Sequence, residues 1–246
     1  MRPHAMIAPA LGAALLTAPA LGQTPLWLRQ LGTRPPDSRV NASAGDIFLA
    51  RYDAHGVRIL RRQFGTAGWE RPLDIATDGV GGVLMAGDTS SDFGGPAAGA
   101  SDAWVARHDA DGNQLWVRLL GSTANDQATG VAPDGAGGAF ICGWTDGHIA
   151  PSTSTPRKAW LARYESAGNQ LWIRQFGLPS TTWEYRDDAV GVASDGAGGA
   201  LVAGNADEGL GNNTWVAHYS GAGAQLSMTD SGRFTYNWSH PARSDG

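Results

Sequence analysis

The chain repeats itself, and that property limits its fold more than any local motif. The stretch AWVARHDADGNQLWVRLLG (103–121) aligns without a gap on AWLARYESAGNQLWIRQFG (159–177), 56 residues later. An earlier copy, IFLARYDAHGVRILRRQFG (47–65), stands another 56 residues before, and a fading fourth, TWVAHYSGAGAQLS, begins at Thr214. Between the copies lies a second module: DIATDGVGGVLMAGDT from Asp74, GVAPDGAGGAFICGWT from Gly130 and GVASDGAGGALVAGNA from Gly191. A supersecondary unit that recurs in this way buries its apolar face by stacking on its neighbours, so the copies must share their cores.

Each unit reads as four strands. Small or aromatic residues alternate with others along 104–108, which suits a strand with a packed face. Asp109-Ala110-Asp111-Gly112 supplies a tight turn, and 114–120 returns with Trp116 and Arg118 on one face. Residues 129–132 and 139–144 form a second hairpin across the glycine-rich turn that begins at Asp134. The loops at 90–101 and 146–157, rich in Gly, Ser, Pro and Thr, share one rim. No helical spacing occurs after residue 22. These patterns predict an all-β, beta-propeller-like repeat of four-stranded blades, because a period of 56 lies near the kelch and WD range.

Glycine, 35 of the 246 residues, serves the turns, while 42% hydrophobic and 17% charged residues argue for a packed core rather than disorder. A net charge of −5 without a basic run excludes the electrostatic footprint of a nucleic-acid partner. Cys142 is the only cysteine, so there is no disulfide framework, and a buried inert thiol is expected. No cofactor or metal is expected. The acids of 109–113 suit a hard cation in isolation, but the equivalent turns at 53–57, 165–169 and 220–224 lose them, which favours a plain hairpin turn.

Arg2 and His4 precede an apolar run that ends in Ala18-Pro19-Ala20, the pattern of a secretory signal. Pro9, Gly12 and Pro19 break the run and speak against a membrane anchor. The expected organisation is a signal peptide over 1–22, a repeat domain over 23–228 with units near 23–65, 66–121, 122–177 and 178–228, and an irregular tail over 229–246. The mature chain is expected to be secreted, periplasmic or at the cell surface, with no membrane span after the signal.

The elements RQFG, then an acidic residue, then GVA-x-DGAGG-A-x-x-x-G-x-T, and TSSDF at 89–93, resemble the bacterial beta-propeller repeat called SBBP. The resemblance covers 26–226 and implies a secreted or surface-exposed propeller without a common catalytic activity. DADGNQLW is also similar to the pyrroloquinoline-quinone type repeat, whose unit is shorter and lacks the DGAGG hairpin. LWLRQLG at 26–32 looks like the fourth strand of a blade, yet 33–45 is too short to supply the hairpin that should follow. After Leu226 the pattern is lost. About four blades remain, which leaves a truncated propeller, a half-ring that pairs with another chain or a small four-bladed ring; an incomplete, open arc is favoured, its exposed edges promoting self-association.

Repetition sorts residues by role: those that recur in each copy serve the fold, and those in one blade are better functional candidates. Arg29, Arg62, Arg118 and Arg174 recur, as do Arg51, Arg107 and Arg163, the acids Glu70, Asp126 and Asp187, and the turn residues Asp78, Asp134 and Asp195. Trp27, Trp104, Trp116, Trp160, Trp172 and Trp215 are periodic and expected between blades, whereas Trp69, Trp144 and Trp183 break the period. Trp69-Glu70-Arg71 and Trp183-Glu184-Tyr185-Arg186 set aromatic and charged groups on one rim. The candidate ligand site is therefore Trp69, Glu70, Arg71, Trp144, Trp183, Glu184 and Arg186, suited to a carbohydrate or a protein side chain. The histidines show no metal-ligand spacing and no GxSxG motif occurs, so no catalytic residue is assigned. The expected function is a secreted, non-enzymatic scaffold for ligand or protein interaction. The alternatives are a propeller-type enzyme (hydrolase, lyase or quinone-dependent) assembled from loops, or a truncated structural fragment of a larger propeller. Processing is directly testable: N-terminal sequencing of exported protein should find a start between Ala20 and Gln23, not Met1.

Overall fold

The computed structural model describes residues 26–30, 46–151, 157–178, 186–207 and 212–231. They form fifteen strands and no helix. The first sheet contains β1 (Leu26–Gln30), β2 (Ile47–Tyr52) and β3 (Arg58–Phe64). The second contains β4 (Glu70–Thr77), β5 (Val83–Thr89), β6 (Asp102–His108) and β7 (Gln114–Leu120). The third contains β8 (Asp126–Pro133), β9 (Ala139–Thr145), β10 (Lys158–Tyr164) and β11 (Gln170–Phe176). The fourth contains β12 (Arg186–Ser194), β13 (Ala200–Asp207), β14 (Asn212–Tyr219) and β15 (Gln225–Asp230).

Each sheet is an antiparallel meander in chain order, and the second, third and fourth are the four-stranded blades that the repeat predicts, while the first has three strands. The glycine-rich turns explain why the hairpins close where they do. Gly135 and Gly137 adopt φ of 77° and 87°, and a Cβ on Gly138 would lie 2.0 Å from the Tyr164 carbonyl oxygen. Only glycine tolerates both demands without strain. The segment 26–30 corrects one expectation. Its strand β1 pairs with β2, from Leu26↔Tyr52 to Gln30↔Phe48, in the place that β5, β9 and β13 hold in the other blades. Its pairing makes β1 part of the first sheet and not of a preceding blade.

The core lies between blades. On β6, Ala103 and Val105 pack towards Trp160, Ala162 and Tyr164 of the third blade. Trp104 and Ala106, on the opposite face, pack towards Ile47 and Leu49 of the first. Phe140, Cys142, Ala159 and Leu161 repeat the arrangement against Trp215, Ala217 and Tyr219 of the fourth. Strands β5 and β9 are thus buried on both faces, whereas β13 alternates between buried and exposed residues. Leu84 and Phe140 are fully buried, while their counterpart Leu201 is 41% exposed. No further sheet covers that face among the described residues, and no strand of the fourth sheet pairs with the first. Among the described residues the sheets do not close on one another, in line with the expected open arc.

Recurring polar residues clasp one blade to the next. Arg107 donates to Asp78 in its own blade at 2.9 and 3.0 Å and reaches the Ser166 carbonyl of the third blade at 3.2 Å. Arg163 pairs with Asp134 and donates to the Gly221 carbonyl at 2.8 Å. The Trp116 and Trp172 indoles donate to the same two carbonyls, each at 2.9 Å. Gly168, at φ 81°, lies so close to the Trp116 ring that a Cβ would stand 2.7 Å from it. These contacts bear out the structural reading of Arg107, Arg163, Asp78 and Asp134. In the fourth blade, His218, Ser227 and Thr229 occupy the places of Arg163, Trp172 and Arg174.

One buried residue breaks the repeat in the core. Tyr52, His108, Tyr164 and Tyr219 share a position, and the Tyr164 and Tyr219 hydroxyls donate to Gln170 and Gln225. His108 is 1% exposed, stacks on Phe64 at 4.7 Å, and neither ring nitrogen has a partner among the described residues. Burial lowers its pKa to about 4. Between an ordinary value near 6.5 and that figure the unfolded chain binds more protons, so stability falls as pH falls through this window, by on the order of 3 kcal/mol in all. Replacing His108→Tyr, with Gln114 in the sister glutamine position, should flatten this acid limb. Thermal midpoints of both proteins between pH 7 and 4 are the check, and equal slopes would contradict the account.

Candidate functional site

Two positions vary in chemistry from blade to blade although the strands around them repeat. They face each other across the first and second strands, as Arg71↔Asp88, Gln127↔Trp144 and Asp188↔Asn205. The residue just before each first-strand member is always acidic: Glu70, Asp126 and Asp187. A strand alternates its faces, so the constant acids and the variable residues point in opposite directions. First strands β4 and β8 pack against each other, as do β8 and β12, which brings the three variable pairs into a continuous strip.

Hydrogen bonds join the strip. Arg71 donates from Nε and Nη2 to the two oxygens of Asp88 at 2.9 and 2.7 Å, the fork geometry of a strong charge-assisted pair. Gln127 donates to Asp88 Oδ2 at 3.2 Å and accepts from the Trp144 indole at 3.1 Å. The Arg157 guanidinium lies 3.7 Å from the Trp144 ring centroid, donates to Asp146 at 3.0 Å and approaches Asp188 at 3.6 Å. Arg71 also sits over the Trp69 ring, at 5.8 Å. Trp69 and Trp144 thereby end a relay that crosses two blades.

The charges are unevenly satisfied. The Asp88 side chain is 3% exposed and its partner Arg71 is 49% exposed, so the guanidinium neutralises a buried acid while presenting its outer edge to solvent. The hydrogen bond to Asp88 raises the Arg71 pKa. Burial raises the pKa of Asp188, with Arg157 opposing, and Asp188 Oδ1 has no hydrogen-bond partner among the described residues. The arrangement offers an aromatic ring braced by a cation, flanked by an acid and a second arginine. Such a surface can stack on a planar or apolar group and orient it by polar contacts at its rim.

The residues expected to bind fall into three groups. Trp69, Arg71 and Trp144 lie on the strip. Glu70 does not: it is 2% exposed and accepts the Thr66 amide at 3.0 Å, the Thr66 hydroxyl and the Ser91 hydroxyl at 3.0 Å, so it ties the loop between blades. Arg186 is exposed at the start of β12, where its charge acts on Asp188. Trp183 and Glu184 lie outside the described residues. Sequence reading missed Asp88, Gln127, Arg157 and Asp188. The signal was available in a comparison of equivalent positions, but the longer connection before β12 shifts Asp188 and Asn205 off the 56-residue offset.

The remaining candidates have their own surroundings. Cys142 is buried and its thiol is pushed up to about 12 by that burial, which leaves it protonated and inert. Asp109 Oδ1 accepts the Asp111 and Asn113 amides at 2.9 and 2.8 Å, so this carboxylate is spent inside its own turn. Among the described residues no three of His, Cys, Asp and Glu gather in a way that could hold a metal ion. None forms a helix long and apolar enough to cross a membrane.

Residues 115–150, from β7 to the loop after β9, match the family model described as SBBP, beta-propeller repeat. The regulatory protein FlaEY of Caulobacter vibrioides is 27% identical over 149 residues, which cover 54% of this chain and 16% of that protein. The chain therefore spans a small part of the length of this relative.

Proposed function

The chain carries the SBBP beta-propeller repeat, and on that premise we propose that it is a non-enzymatic interaction scaffold that recognises another protein through the strip from Trp69 to Asp188. One observation carries this reading. Among the described residues, the cross-strand pairs of that strip change chemistry in every blade compared, beside positions that repeat because the fold needs them. Loops and rims on a rigid repeat frame are where binding residues concentrate.

A protein partner suits the strip better than a glycan. Arg71, Arg157 and Arg186 alternate with Asp146 and Asp188, so both signs of charge are offered around the aromatic rings. Mixed charge of this kind fixes register against a polypeptide. The likeness to part of a protein described as regulatory supports a role in contact with other proteins. The leader-like N-terminus supports export, which would place the partner outside the cytoplasm.

Peptide and glycan arrays probed with the exported chain will identify the ligand class. Trp144→Ala and Arg157→Ala should each weaken the selected ligand by about 10- to 100-fold, as expected of interface anchors, with the β-type circular dichroism retained. Wild-type binding by both variants would refute the strip. Selection of glycans alone would refute the protein partner but not the site.

A further inference from the structure

Consecutive blades meet in a junction with two halves. One half is the outer face of a blade, with an arginine on β2, β6 or β10; the other is the turn between the last two strands of the next blade. Arg51, Arg107 and Arg163 donate to the carbonyls of Ala110 at 2.7 Å, Ser166 and Gly221. The glycine two residues further on comes against the preceding blade: a Cβ on Gly112, Gly168 or Gly223 would stand 2.7 Å from Leu60, Trp116 or Trp172.

Each end of the series presents one half of this junction. In the first blade Ala54 and Gly56 hold the turn places, residues 54–59 are exposed, and a Cβ on Gly56 would meet nothing within 4 Å among the described residues. Phe48 and Tyr52 are half-buried there, although Trp104 and Trp160, and Tyr164 and Tyr219, are buried in the same places of later blades. In the fourth blade Val190, Leu201 and Val216 are exposed on the outer face. A repeat that ends a stack in water carries a polar outer face. This one stays aliphatic at its centre. Only its clasp is weakened, by His218 and Ser227 in the places of Arg163 and Trp172, which suits a junction that forms and separates.

Charge selects the occupant. Residues 46–64 contain four arginines and two aspartates, and 186–231 contain six acids and one arginine. Arg58 and Arg61 are exposed on the face of the first blade that points away from the second, paired with Tyr52 and Ala50. Asp207 shares the outer face of β13 with Leu201. Two fourth blades face to face would oppose acid to acid, whereas a first blade seated there opposes arginine to acid.

We propose that the outer face of the fourth blade docks the first blade of a second copy of this chain, head to tail. The turn 53–57 of one copy seats against β14 and β15 of the other, with the Ala54 carbonyl towards His218, whose Nε2 is held by Asp195 at 2.8 Å as Arg163 is held by Asp134. The contact continues the series of blades across two chains, through the kind of surface that joins blades within one. It is heterologous, so each copy keeps one end for a further copy unless the assembly closes.

Light scattering on the full chain over a range of concentrations should find masses above one chain that grow with concentration. Leu201→Asp with Val216→Asp blocks the tail, and Arg58→Glu with Arg61→Glu blocks the head. All four residues are exposed, so the β-type circular dichroism should stay. Each variant should associate about tenfold or more weakly than the wild type, and an equimolar mixture should give the mass of two chains, because one intact head then meets one intact tail. His218→Arg restores the clasp donor and should tighten association by about tenfold. A wild-type protein that remains a single chain overturns the proposal, as does a mixture that does so. Undiminished association of the arginine variant also overturns it, since tail would then meet tail. If a charged variant fails to fold, His218→Arg decides alone, and unchanged association refutes the junction. None of these residues belongs to the strip from Trp69 to Asp188, so ligand binding and self-association can fail separately.

Discussion

A single carbonyl oxygen that receives both an indole and a guanidinium organises the packing of this molecule. Ser166 accepts from Trp116 and Arg107 of the preceding blade, and Gly221 accepts from Trp172 and Arg163. A turn carbonyl brought against a neighbouring sheet loses water and must be paired. The arginine that pairs it is itself held by an aspartate in its own blade. Asp134 accepts the Ala136 and Gly138 amides on Oδ1 and the Arg163 guanidinium through Oδ2. The geometry of one hairpin turn is thereby transmitted to the position of the next blade. Glycines in the docked turns permit the close approach, because a side chain at Gly168 or Gly223 would strike the tryptophan ring.

Because the clasp repeats, the positions it uses are closed to other work. The residues that vary lie on the first and second strands of each blade, where the first-strand members stand one step from the constant acids and on the opposite face. Glu70 is sealed under the loop while Arg71 reaches solvent, and the same alternation separates Asp126 from Gln127. A period of two residues is enough to keep support and recognition apart. In the fourth blade the clasp is incomplete among the described residues. His218 still pairs with Asp195 at 2.8 Å, but no following turn is present among the described residues, and Val216 on that face is 51% exposed.

Much of this was legible in the chain itself. The 56-residue offset located the strands, the two hairpins per unit, the tryptophans between blades and the structural role of the arginines and turn aspartates. The assignment of Trp144 as an exception to the period proved informative, since it stands where Asp88 and Asn205 stand in sister blades. The place of β1 was not legible, because LWLRQ reads as a fourth strand by composition and only pairing reveals its neighbour. Nor was the relation of Arg157 to Trp144, which a long loop separates in sequence and stacking brings to 3.7 Å.

The sequence by itself determined what each repeat must be: strand lengths, turn positions and the face on which each tryptophan lies follow from local periodicity and from glycine at positive φ. Only the tertiary structure decided what lies between repeats. Whether Asp187 meets the Lys158 ammonium, and whether Leu201 is covered like Leu84, depends on which surfaces stack and how closely. Those are contacts between residues distant in the chain, and their energies come from excluded water and paired charge, quantities that no local pattern encodes.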